Sequence, residues 1–293
     1  MAEVTVGVPV YNGADLLAES LECLVNQTFR DIEILIFDNA STDGTQQIVE
    51  GFAARDPRIR YVRRPENLGA IQNFIDPVDQ ATSPYFMWRA HDDLSSPDYI
   101  EKLLGALKAD PRVKLATGTI EHVRRAGRKT EILVPRLPSR SLPAIEIVQL
   151  MFHSHAGWYY GLWETATVRA LVHRVWTEFP YAWASDHLTL YPLLLDRAVA
   201  AVPETRFIQR VVVKEYTPKK GEKPSLEHVK KLRAIFIQSC RDFLAERDFG
   251  AATRFVLNAA IWPYTGKRVY KARRVAKREL SGYLKRFILK TPG

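Results

Sequence analysis

Two adjacent carboxylates, Asp92 and Asp93, end an apolar run in the segment YFMWRAHDDLSSPDYI, residues 85–100. Neighbouring carboxylates repel each other, and the pair is costly at the end of a strand unless a positive group lies beside it. The residues therefore suit a site that binds something positively charged. The alternative is a structural role, in which the pair favours the N-terminus of the helix predicted from Pro97.

The N-terminal part of the chain alternates strand-like and helix-like patterns, and these elements must position the acidic pair. An apolar run at 4–10 is typical of a strand buried on both faces of a parallel sheet. Residues 14–27 place Leu17, Leu21 and Leu24 on one helical face. Further strands are predicted at 31–38, 58–64, 85–90 and 113–120, and further helices at 41–56 and 97–108. This βαβ pattern predicts an α/β fold with a doubly wound, mostly parallel sheet.

Polar residues follow three of the predicted strands, at 9–12, 38–39 and 91–93. Because the carboxyl ends of parallel strands meet at one edge of a sheet, where ligands bind in such folds, we expect these residues to converge. The chain has no GxGxxG motif and no GxxxxGK[ST] motif. Their absence counts against a dinucleotide-dependent dehydrogenase and a P-loop NTPase.

The net charge is concentrated in one segment. The 293 residues carry a net charge of +9, and residues 267–290 hold ten Lys or Arg and one Glu, which is also +9. Residues 1–266 are therefore neutral in sum, and a basic surface for nucleic acid is not predicted.

Cys23 and Cys240 have no CxxC spacing, which argues for a reduced compartment. With no signal-peptide pattern and no run of ~18 apolar residues, we expect a cytoplasmic protein.

Four motifs occur in order: VTVGVPVYNGADLLAESLECLVNQTF from residue 4, EILIFDNASTDGT from residue 33, NLGA from residue 67 and AHDDLSSPDYI from residue 90. Together they resemble the family 2 glycosyltransferases with the GT-A fold. The resemblance covers residues 4–120 strongly and residues 150–213 weakly. It implies a Rossmann-like GT-A domain and an inverting sugar transferase that uses a nucleotide-diphosphate sugar, usually a UDP-sugar, with Mg²⁺ or Mn²⁺.

The resemblance also implies which positive group the acidic pair binds. In the family a D-x-D-like motif holds the ribose and the metal, so Asp93 would ligate the cation, with Asp92 and His91 as further candidates. Asp92 would otherwise contact the ribose or the water shell of the metal. Mg²⁺ and Mn²⁺ suit hard oxygen ligands and need only one or two protein carboxylates when phosphate and water complete the shell. His91 departs from the family pattern, since it stands where the full motif has its first acid.

The same resemblance implies a donor pocket. Asp38 would accept a hydrogen bond from the uracil imide N–H, and Tyr11 would stack on the base, worth roughly 1–3 kcal/mol. Other positions of the family's donor pocket are matched by Pro9, Asn12, Asn67 and Gly69. The structural alternatives are a turn residue at Asp38 and simple packing at Tyr11.

Asp186 occupies the place where the family usually carries its catalytic Asp. Inversion by single displacement requires an acceptor hydroxyl on the face opposite the leaving diphosphate, with a carboxylate that removes its proton. A carboxylate on a different segment from the metal site meets that requirement. The family often has an acid before this Asp, and the sequence SDH lacks one. The alternative for Asp186 is a cap on the predicted helix 188–195.

An aromatic and histidine-rich segment precedes Asp186. Its aromatic residues are Trp158, Tyr159, Tyr160 and Trp163. They would form a platform for an acceptor sugar, or else belong to the core. His153 and His155 have the spacing of metal ligands, but no carboxylate partner is evident, so a structural or solvent-facing role is expected.

A Pro-, Gly- and Lys-rich break at 216–225 is the predicted domain boundary. The catalytic domain is predicted at 1–215, with a nucleotide-sugar half at 1–120 and an acceptor half at 121–215, and a helical extension at 216–293. The break contains Lys219, Lys220 and Lys223. A solvated linker is expected for these lysines, and a loop that closes over the diphosphate is the alternative.

Residues 266–290 have the pattern of a basic amphipathic helix. Its apolar stripe consists of Val269, Ala276, Leu280, Tyr283, Leu284, Phe287 and Ile288. The pattern predicts binding to an anionic membrane surface, with packing on the catalytic domain as the alternative. With the family resemblance, it indicates a peripheral enzyme at the inner face of the plasma membrane. Such an enzyme would glycosylate a glycan or lipid-linked acceptor in cell-surface polysaccharide or lipopolysaccharide biosynthesis.

Two other functions compete with this hypothesis. A sugar-phosphate nucleotidyltransferase shares a related fold and metal site, but should open with a Gly-rich loop containing Arg or Lys, which VPVYNGADLL lacks. A non-catalytic membrane-docking protein with a degenerate transferase domain is the other candidate. Metal-dependent binding of a nucleotide donor discriminates between catalytic and non-catalytic alternatives.

Overall fold

The computed structural model describes residues 1–124, 128–135, 142–211, 225–269, 276–277 and 280–281. The three lysines of the predicted linker, the predicted boundary between residues 215 and 216, and most of the basic tail lie outside these residues. Within the described part of the chain, no helix is both long enough and apolar enough to cross a membrane.

The strands are β1 (Val4–Val10), β2 (Ile32–Asp38), β3 (Ile59–Arg63), β4 (Tyr85–Trp88), β5 (Leu94–Ser95), β6 (Leu115–Arg124), β7 (Arg128–Leu133), β8 (Leu162–Glu164) and β9 (Val199–Val211). In the described residues they form one sheet in the order β3-β2-β1-β4-β8-β6-β9-β5, with β7 paired to β6. The first four strands in this order pair in parallel, as the βαβ pattern predicts. Beyond them, β8 pairs antiparallel with β4 and β6.

β1 is the central strand of the parallel part. All seven of its residues are buried, because helices cover both faces of the sheet, and this explains its nearly continuous apolar sequence. It pairs with β2 on one side, where Val10 is opposite Asp38, and with β4 on the other, where Gly7 is opposite Trp88. The ends of three strands therefore lie side by side.

The helices are α1 (Ala14–Val25), α2 (Thr45–Ala53), α3 (Gly69–Gln80), α4 (Tyr99–Ala109), α5 (Pro143–His153), α6 (Thr165–Glu178), α7 (Ser185–Leu195), α8 (Leu226–Ala245) and α9 (Ala251–Arg268). A 3₁₀ turn spans Ala156–Tyr160. Leu17, Leu21 and Leu24 of α1 are buried, which confirms the predicted apolar face. The sequence did not predict α3, because Pro77 within it interrupts the helical pattern.

The second half of the chain completes the sheet and covers one side of it. β7 pairs antiparallel with β6, and β9 runs parallel to β6. In the described part of the predicted helical extension, α8 packs on α7, and α9 packs on α5 and α8. Tyr264 of α9 is fully buried there, with its ring centroid 6.3 Å from that of Phe152 and 6.0 Å from that of Phe236.

Gly161 joins the 3₁₀ turn to β8, and a side chain there would disturb both. A Cβ at this position would overlap the backbone carbonyl oxygen of Ala116 and lie 2.8 Å from Cδ1 of Leu115. We expect Gly161→Ala to lower the free energy of unfolding by about 1–3 kcal/mol, measured by urea denaturation. The control is Gly105→Ala in α4, where a Cβ meets nothing within 4 Å and about 0.5–1 kcal/mol of stabilisation is expected. Equal midpoints for the two variants would contradict the assigned packing of Gly161.

Candidate active site

The three polar strand ends converge, as the sequence predicts. The backbone N–H of Asn39 donates to the carbonyl of Val10 at 3.0 Å, which joins the ends of β1 and β2. The backbone N–H of Arg89, just after β4, donates to the carbonyl of Gly7 at 2.9 Å. His91 packs on the loop after β1, since a Cβ at Gly13 would lie 2.6 Å from Cδ2 of its ring.

Asp38 is fully buried at the end of β2, and both of its carboxylate oxygens accept hydrogen bonds. Oδ1 accepts from the backbone N–H of Ser41 at 2.8 Å, and Oδ2 accepts from the hydroxyl of Tyr61 at 2.7 Å. Nε of Arg63 lies 3.4 Å from Oδ2. Burial and the bond to Asp38 raise the pKa of Tyr61. Asp38 therefore orders its turn, and a uracil N–H would have to share an oxygen that already has a donor. The contact with uracil stays a prediction.

Asn39 connects the β2 end to the loop before α3. Its Nδ2 donates to Oδ1 of Asn67 at 2.7 Å and to the carbonyl of Gly69 at 3.1 Å. Its Oδ1 accepts from the backbone N–H of Leu68 at 2.9 Å. Gly69 has a φ of +86°, a left-handed conformation that glycine adopts without strain. The sequence placed Asn39 at a strand end but did not identify it as the residue that organises Asn67 and Gly69.

Tyr11 and Asn12 form the loop after β1. Pro9, near the end of β1, is buried. The backbone N–H of Asn12 donates to Oγ of Ser41 at 2.9 Å, and its Oδ1 accepts from the backbone N–H of Thr42 at 2.9 Å. The side chain of Tyr11 is 46% exposed. Such an exposed ring is accessible to a nucleotide base, so stacking remains a prediction that the geometry permits.

Asp93 is buried and is held by the second half of the chain. It is 2% exposed, and its Oδ1 accepts from the backbone N–H of Arg210 in β9 at 2.9 Å. Burial raises the pKa of Asp93 to about 7, and the negative charge of Asp92 contributes. The side chain of Arg210 donates to the carbonyl of Asp92 and pairs with Glu19 of α1. Arg210 therefore fixes the acidic pair against both β9 and α1.

Arg89 supplies positive charge next to the acidic pair. Its side chain is fully buried and donates to Oγ of Ser95 at 2.6 Å and to the carbonyl of Asp93 at 3.4 Å. Its guanidinium lies over the ring of Phe207, 5.3 Å from the centroid. The charge of Arg89 lowers the pKa of Asp93, but less than burial and Asp92 raise it.

The acidic pair fits a divalent cation. Among the described residues there is no cluster of three or more acidic, histidine or cysteine side chains that could enclose a metal. One or two carboxylates suffice for Mg²⁺ or Mn²⁺ when phosphate and water supply the other ligands. The raised pKa of Asp93 indicates a buried carboxyl group whose negative charge is poorly compensated, and a cation would compensate it. Direct ligation by His91 stays a prediction.

Asp186 lies in the first turn of α7, after Ala184 in a left-handed conformation, and lines a cavity of about 190 Å³. Its Oδ1 accepts from the backbone N–H of His187 at 2.7 Å. Burial raises the pKa of Asp186. A partly buried carboxylate of raised pKa can remove a proton from a bound hydroxyl.

Tyr160 is within electrostatic range of both acidic groups. Burial raises its pKa, and the negative charges of Asp93, Asp186 and Asp92 raise it further. The ring of Tyr160 stacks on that of Phe207 at 5.2 Å between centroids, and Phe207 lies under the Arg89 guanidinium, so Tyr160 connects the surroundings of Asp93 with the cavity of Asp186. Tyr159 lines the cavity of Asp186 together with Tyr160.

The remaining residues of the aromatic and histidine-rich segment have structural positions. Trp158 is 1% exposed and Trp163 is fully buried, which favours the core alternative for both. The ring of Tyr159 stacks on that of Trp88 at 4.3 Å between centroids. Nδ1 of His155 accepts from the backbone N–H of Gly157 at 3.0 Å and so caps the 3₁₀ turn. Acceptor binding by Trp158, Tyr159 and Tyr160 stays a prediction.

Comparison with known proteins identifies the family that this chain is similar to. A model of the family described as "Glycosyl transferase family 2" matches residues 5–160. An uncharacterized glycosyltransferase of Haemophilus influenzae is 29% identical over 133 residues, which cover 45% of this chain and 38% of that protein. The putative glycosyltransferase EpsE of Bacillus subtilis is 33% identical over 107 residues, covering 36% of this chain and 38% of that protein. The chain thus matches less than half the length of these relatives.

Solved structures share the fold. The structure of Staphylococcus aureus TarS 1–349 in complex with UDP has a TM-score of 0.66 at 16% identity, covering 90% of this chain and 72% of that chain. The Pyrobaculum calidifontis mannosyltransferase PcManGT, in complex with GDP-Man and Mn²⁺, has a TM-score of 0.50 at 19% identity, covering 97% of this chain and 81% of that chain. At these identities the similarity establishes the GT-A type of fold.

The raised pKa of Asp93 predicts a pH-dependent effect of Asp93→Asn on stability. Between about pH 4 and pH 7 the unfolded chain ionises this carboxyl group while the folded chain keeps it protonated, so its contribution to stability falls as the pH rises and stays low above pH 7. Asparagine cannot ionise and still accepts from Arg210. We expect Asp93→Asn to raise the free energy of unfolding by about 1–4 kcal/mol at pH 8 and by much less at pH 5, in EDTA.

Urea denaturation at the two pH values measures this difference. The control is Asp248→Asn, since Asp248 is exposed and should show no such change between pH 5 and pH 8. A loss of stability in Asp93→Asn at pH 8 would contradict the prediction.

Proposed function

The chain belongs to glycosyl transferase family 2, and from this we propose that it transfers a sugar from a nucleotide-diphosphate sugar to an acceptor hydroxyl with inversion at the anomeric carbon. The acceptor in this proposal is a glycan or a lipid-linked molecule. The observation that supports the proposal most is that Tyr160 lines the cavity of Asp186 and also stacks on Phe207, which lies under the Arg89 guanidinium beside Asp93. Two separate carboxyl groups suit single displacement, because the leaving group and the attacking hydroxyl need different partners.

A UDP-sugar is the donor that we propose. TarS structures in complex with UDP and with UDP-GlcNAc share the fold with TM-scores of 0.66 and 0.67, whereas PcManGT is in complex with GDP-Man. Tyr11 would stack on the base. Asn67 and Gly69, ordered by Asn39, would line the donor pocket.

Asp93, with Asp92, would hold a Mg²⁺ or Mn²⁺ ion. Bound there, the cation would act as a Lewis acid toward the charge of the leaving diphosphate. Asp186 would hold the proton that the acceptor hydroxyl loses, and its raised pKa makes it a stronger base than an exposed carboxylate. Tyr159 and Tyr160 would exclude water from the cavity that Asp186 lines.

We also propose a peripheral location at the inner face of the plasma membrane, in cell-surface polysaccharide or lipopolysaccharide biosynthesis. The net charge of +9 in residues 267–290 supports this location. α9, whose last two residues begin that segment, exposes Phe255, Val256 and Trp262 to 76%, 41% and 69%. Arg233 lies over the ring of Trp262, 5.9 Å from its centroid, so cationic and apolar groups adjoin on this face.

The experiment that tests the proposed function is calorimetric titration of UDP with Mn²⁺ and with EDTA. We expect wild-type protein to bind UDP in a Mn²⁺-dependent manner, and Asp93→Ala to lose the metal-dependent part because it lacks the principal ligand. Asp186→Asn should bind UDP as wild type does, yet hydrolyse the matching UDP-sugar about 10²–10⁴-fold more slowly.

The outcomes separate the competing functions. Absence of UDP, GDP and dTDP binding by wild-type protein would favour the non-catalytic membrane-docking alternative. Binding that persists in Asp93→Ala would exclude Asp93 as the principal metal ligand. The family assignment leaves the nucleotidyltransferase alternative without support, and formation of UDP-sugar from UTP and a sugar phosphate would restore it.

The membrane location predicts binding to anionic vesicles. We expect sedimentation with vesicles that contain phosphatidylglycerol and not with pure phosphatidylcholine, and a roughly tenfold weaker association for Trp262→Ala. Leu142→Ala is the control, because Leu142 is 70% exposed and lies just before α5, away from α9 in the sequence. Equal binding to both kinds of vesicle, or equal losses in the two variants, would contradict this location of the membrane-binding face.

A further inference from the structure

A second cavity, of about 450 Å³, lies beside the 3₁₀ turn Ala156–Tyr160. Trp158 of this turn lines the second cavity, whereas Tyr159 and Tyr160 line the cavity of Asp186. The turn is therefore a wall shared by the two cavities. Whatever occupies the second cavity lies next to the site where the proposed transfer takes place.

The polar lining of this second cavity is cationic or neutral. It consists of Lys267, Arg268, His153, Ser154 and His155. Among the described residues, no carboxylate lines the cavity. Two full positive charges, two imidazoles and a hydroxyl group form a lining that attracts an anion.

The two cations donate hydrogen bonds to backbone carbonyls at the end of α5, and Arg268 also donates to Oγ of Ser154 at 3.1 Å. Nζ of Lys267 donates to the carbonyl of Phe152 at 2.5 Å, and Arg268 donates to those of Met151 at 2.8 Å and Ser154 at 2.5 Å. A cation at a helix C-terminus is favourable, but neutral carbonyls do not cancel two full charges. Nε of Arg268 is buried without a hydrogen-bond partner in the described part of the chain. Capping of α5 therefore explains only in part why Lys267 and Arg268 lie side by side in the lining of the second cavity.

The positive charges that line the second cavity also act on residues of α7. His187, beside Asp186, is 8% exposed, and its Nδ1 has no hydrogen-bond partner among the described residues. Burial lowers the pKa of His187, and the charges of Arg268, His155 and Lys267 lower it further. Arg268 also acts on Asp186, whose pKa it lowers against the larger effect of burial. An anion in the second cavity would therefore lie within electrostatic range of the proposed base.

The rim of the second cavity is apolar. Ile132 at the end of β7 and Val134 just after it are 54% and 49% exposed. Leu133, Phe152 and Trp158 complete the apolar lining. β7 pairs only with β6 within the described residues, so these side chains lie at an edge of the sheet. An occupant with an anionic group and an adjoining apolar chain would satisfy both parts of the lining.

We infer that this cavity binds a phosphate group of the acceptor, close to the hydroxyl that receives the sugar, while an apolar chain of the acceptor lies against Ile132 and Val134. The inference rests on the proposed function, because it assigns the acceptor side of the same reaction. It narrows the acceptor to phosphorylated molecules. The apolar rim favours a lipid phosphate over a phosphodiester within a glycan.

The test is a calorimetric titration of farnesyl phosphate into the protein at saturating UDP and Mn²⁺, so that the donor site is occupied. We expect farnesyl phosphate to bind at least about tenfold more tightly than farnesol, because the charged hydrogen bonds require the phosphate. Added salt should weaken this binding. Glycerol 3-phosphate is the probe for a phosphate without an apolar chain.

Variants assign the binding to this cavity. Lys267→Met removes one charge from an exposed side chain and should weaken farnesyl phosphate binding by about tenfold. Lys230→Met, at an exposed lysine of α8, is the matched control and should leave it unchanged. Ile132→Ser should weaken binding of farnesyl phosphate but not of glycerol 3-phosphate. UDP titration of Lys267→Met should equal that of wild type, which shows that the variant is folded.

Each outcome decides a separate question. Farnesyl phosphate affinity that is unchanged in Lys267→Met, or no tighter than that of farnesol, overturns the inference. Equal binding of glycerol 3-phosphate and farnesyl phosphate, both weakened in Lys267→Met, supports the phosphate site and assigns the phosphate to a glycan. If UDP does not bind wild-type protein while Lys267→Met still weakens phosphate binding, the proposed donor is wrong and the cavity assignment stands.

Discussion

The parallel pairing of β1 with both β2 and β4 is the constraint on which the site depends. Because β1 is buried on both faces, its register with its neighbours is strongly specified, since a slip by one residue would exchange the side chains on the two faces. This register places Val10 opposite Asp38 and brings the segment after β4 to the same edge. The loops that follow the strands then hold one another through hydrogen bonds between their backbone and polar side chains.

Incomplete charge compensation is common to Asp93 and Asp186, the two buried carboxyl groups of the candidate site. Asp93 and Asp186 are each buried enough to raise their pKa, and each has a cation nearby, Arg89 or Arg268, that offsets only part of this effect. A buried charge that the protein itself does not neutralise is costly to stability, and it persists where a ligand completes the balance. In the proposed function the donor's metal completes it for Asp93, and the proton of the acceptor completes it for Asp186.

Local sequence patterns were sufficient to predict the parallel core and its polar strand ends, because apolar runs and the polar residues that follow them are short-range features. They were not sufficient for α3, where Pro77 interrupts the helical pattern, or for the antiparallel strands of the second half. The bonds that complete the site join residues far apart in sequence. Arg210 is 117 positions from Asp93, and Asn39 is 28 positions from Asn67. No periodicity in the sequence encodes such pairs. Asp93 could therefore be predicted as a site residue, but Arg210, which holds it in place, could not.

The fully buried guanidinium of Arg89 has a consequence for how the sequence can diverge. Its charge is partly balanced by Asp93, and its Nε has no hydrogen-bond partner among the described residues. A substitution that neutralises position 89 removes a cation that lowers the pKa of Asp93 and leaves the buried carboxyl group with weaker compensation. Loss of Arg89 is therefore more harmful while position 93 carries a carboxyl group than after position 93 has become neutral. Among descendants of this chain, a neutral residue at position 89 should occur together with a neutral residue at position 93, which would give a signal of correlated evolution.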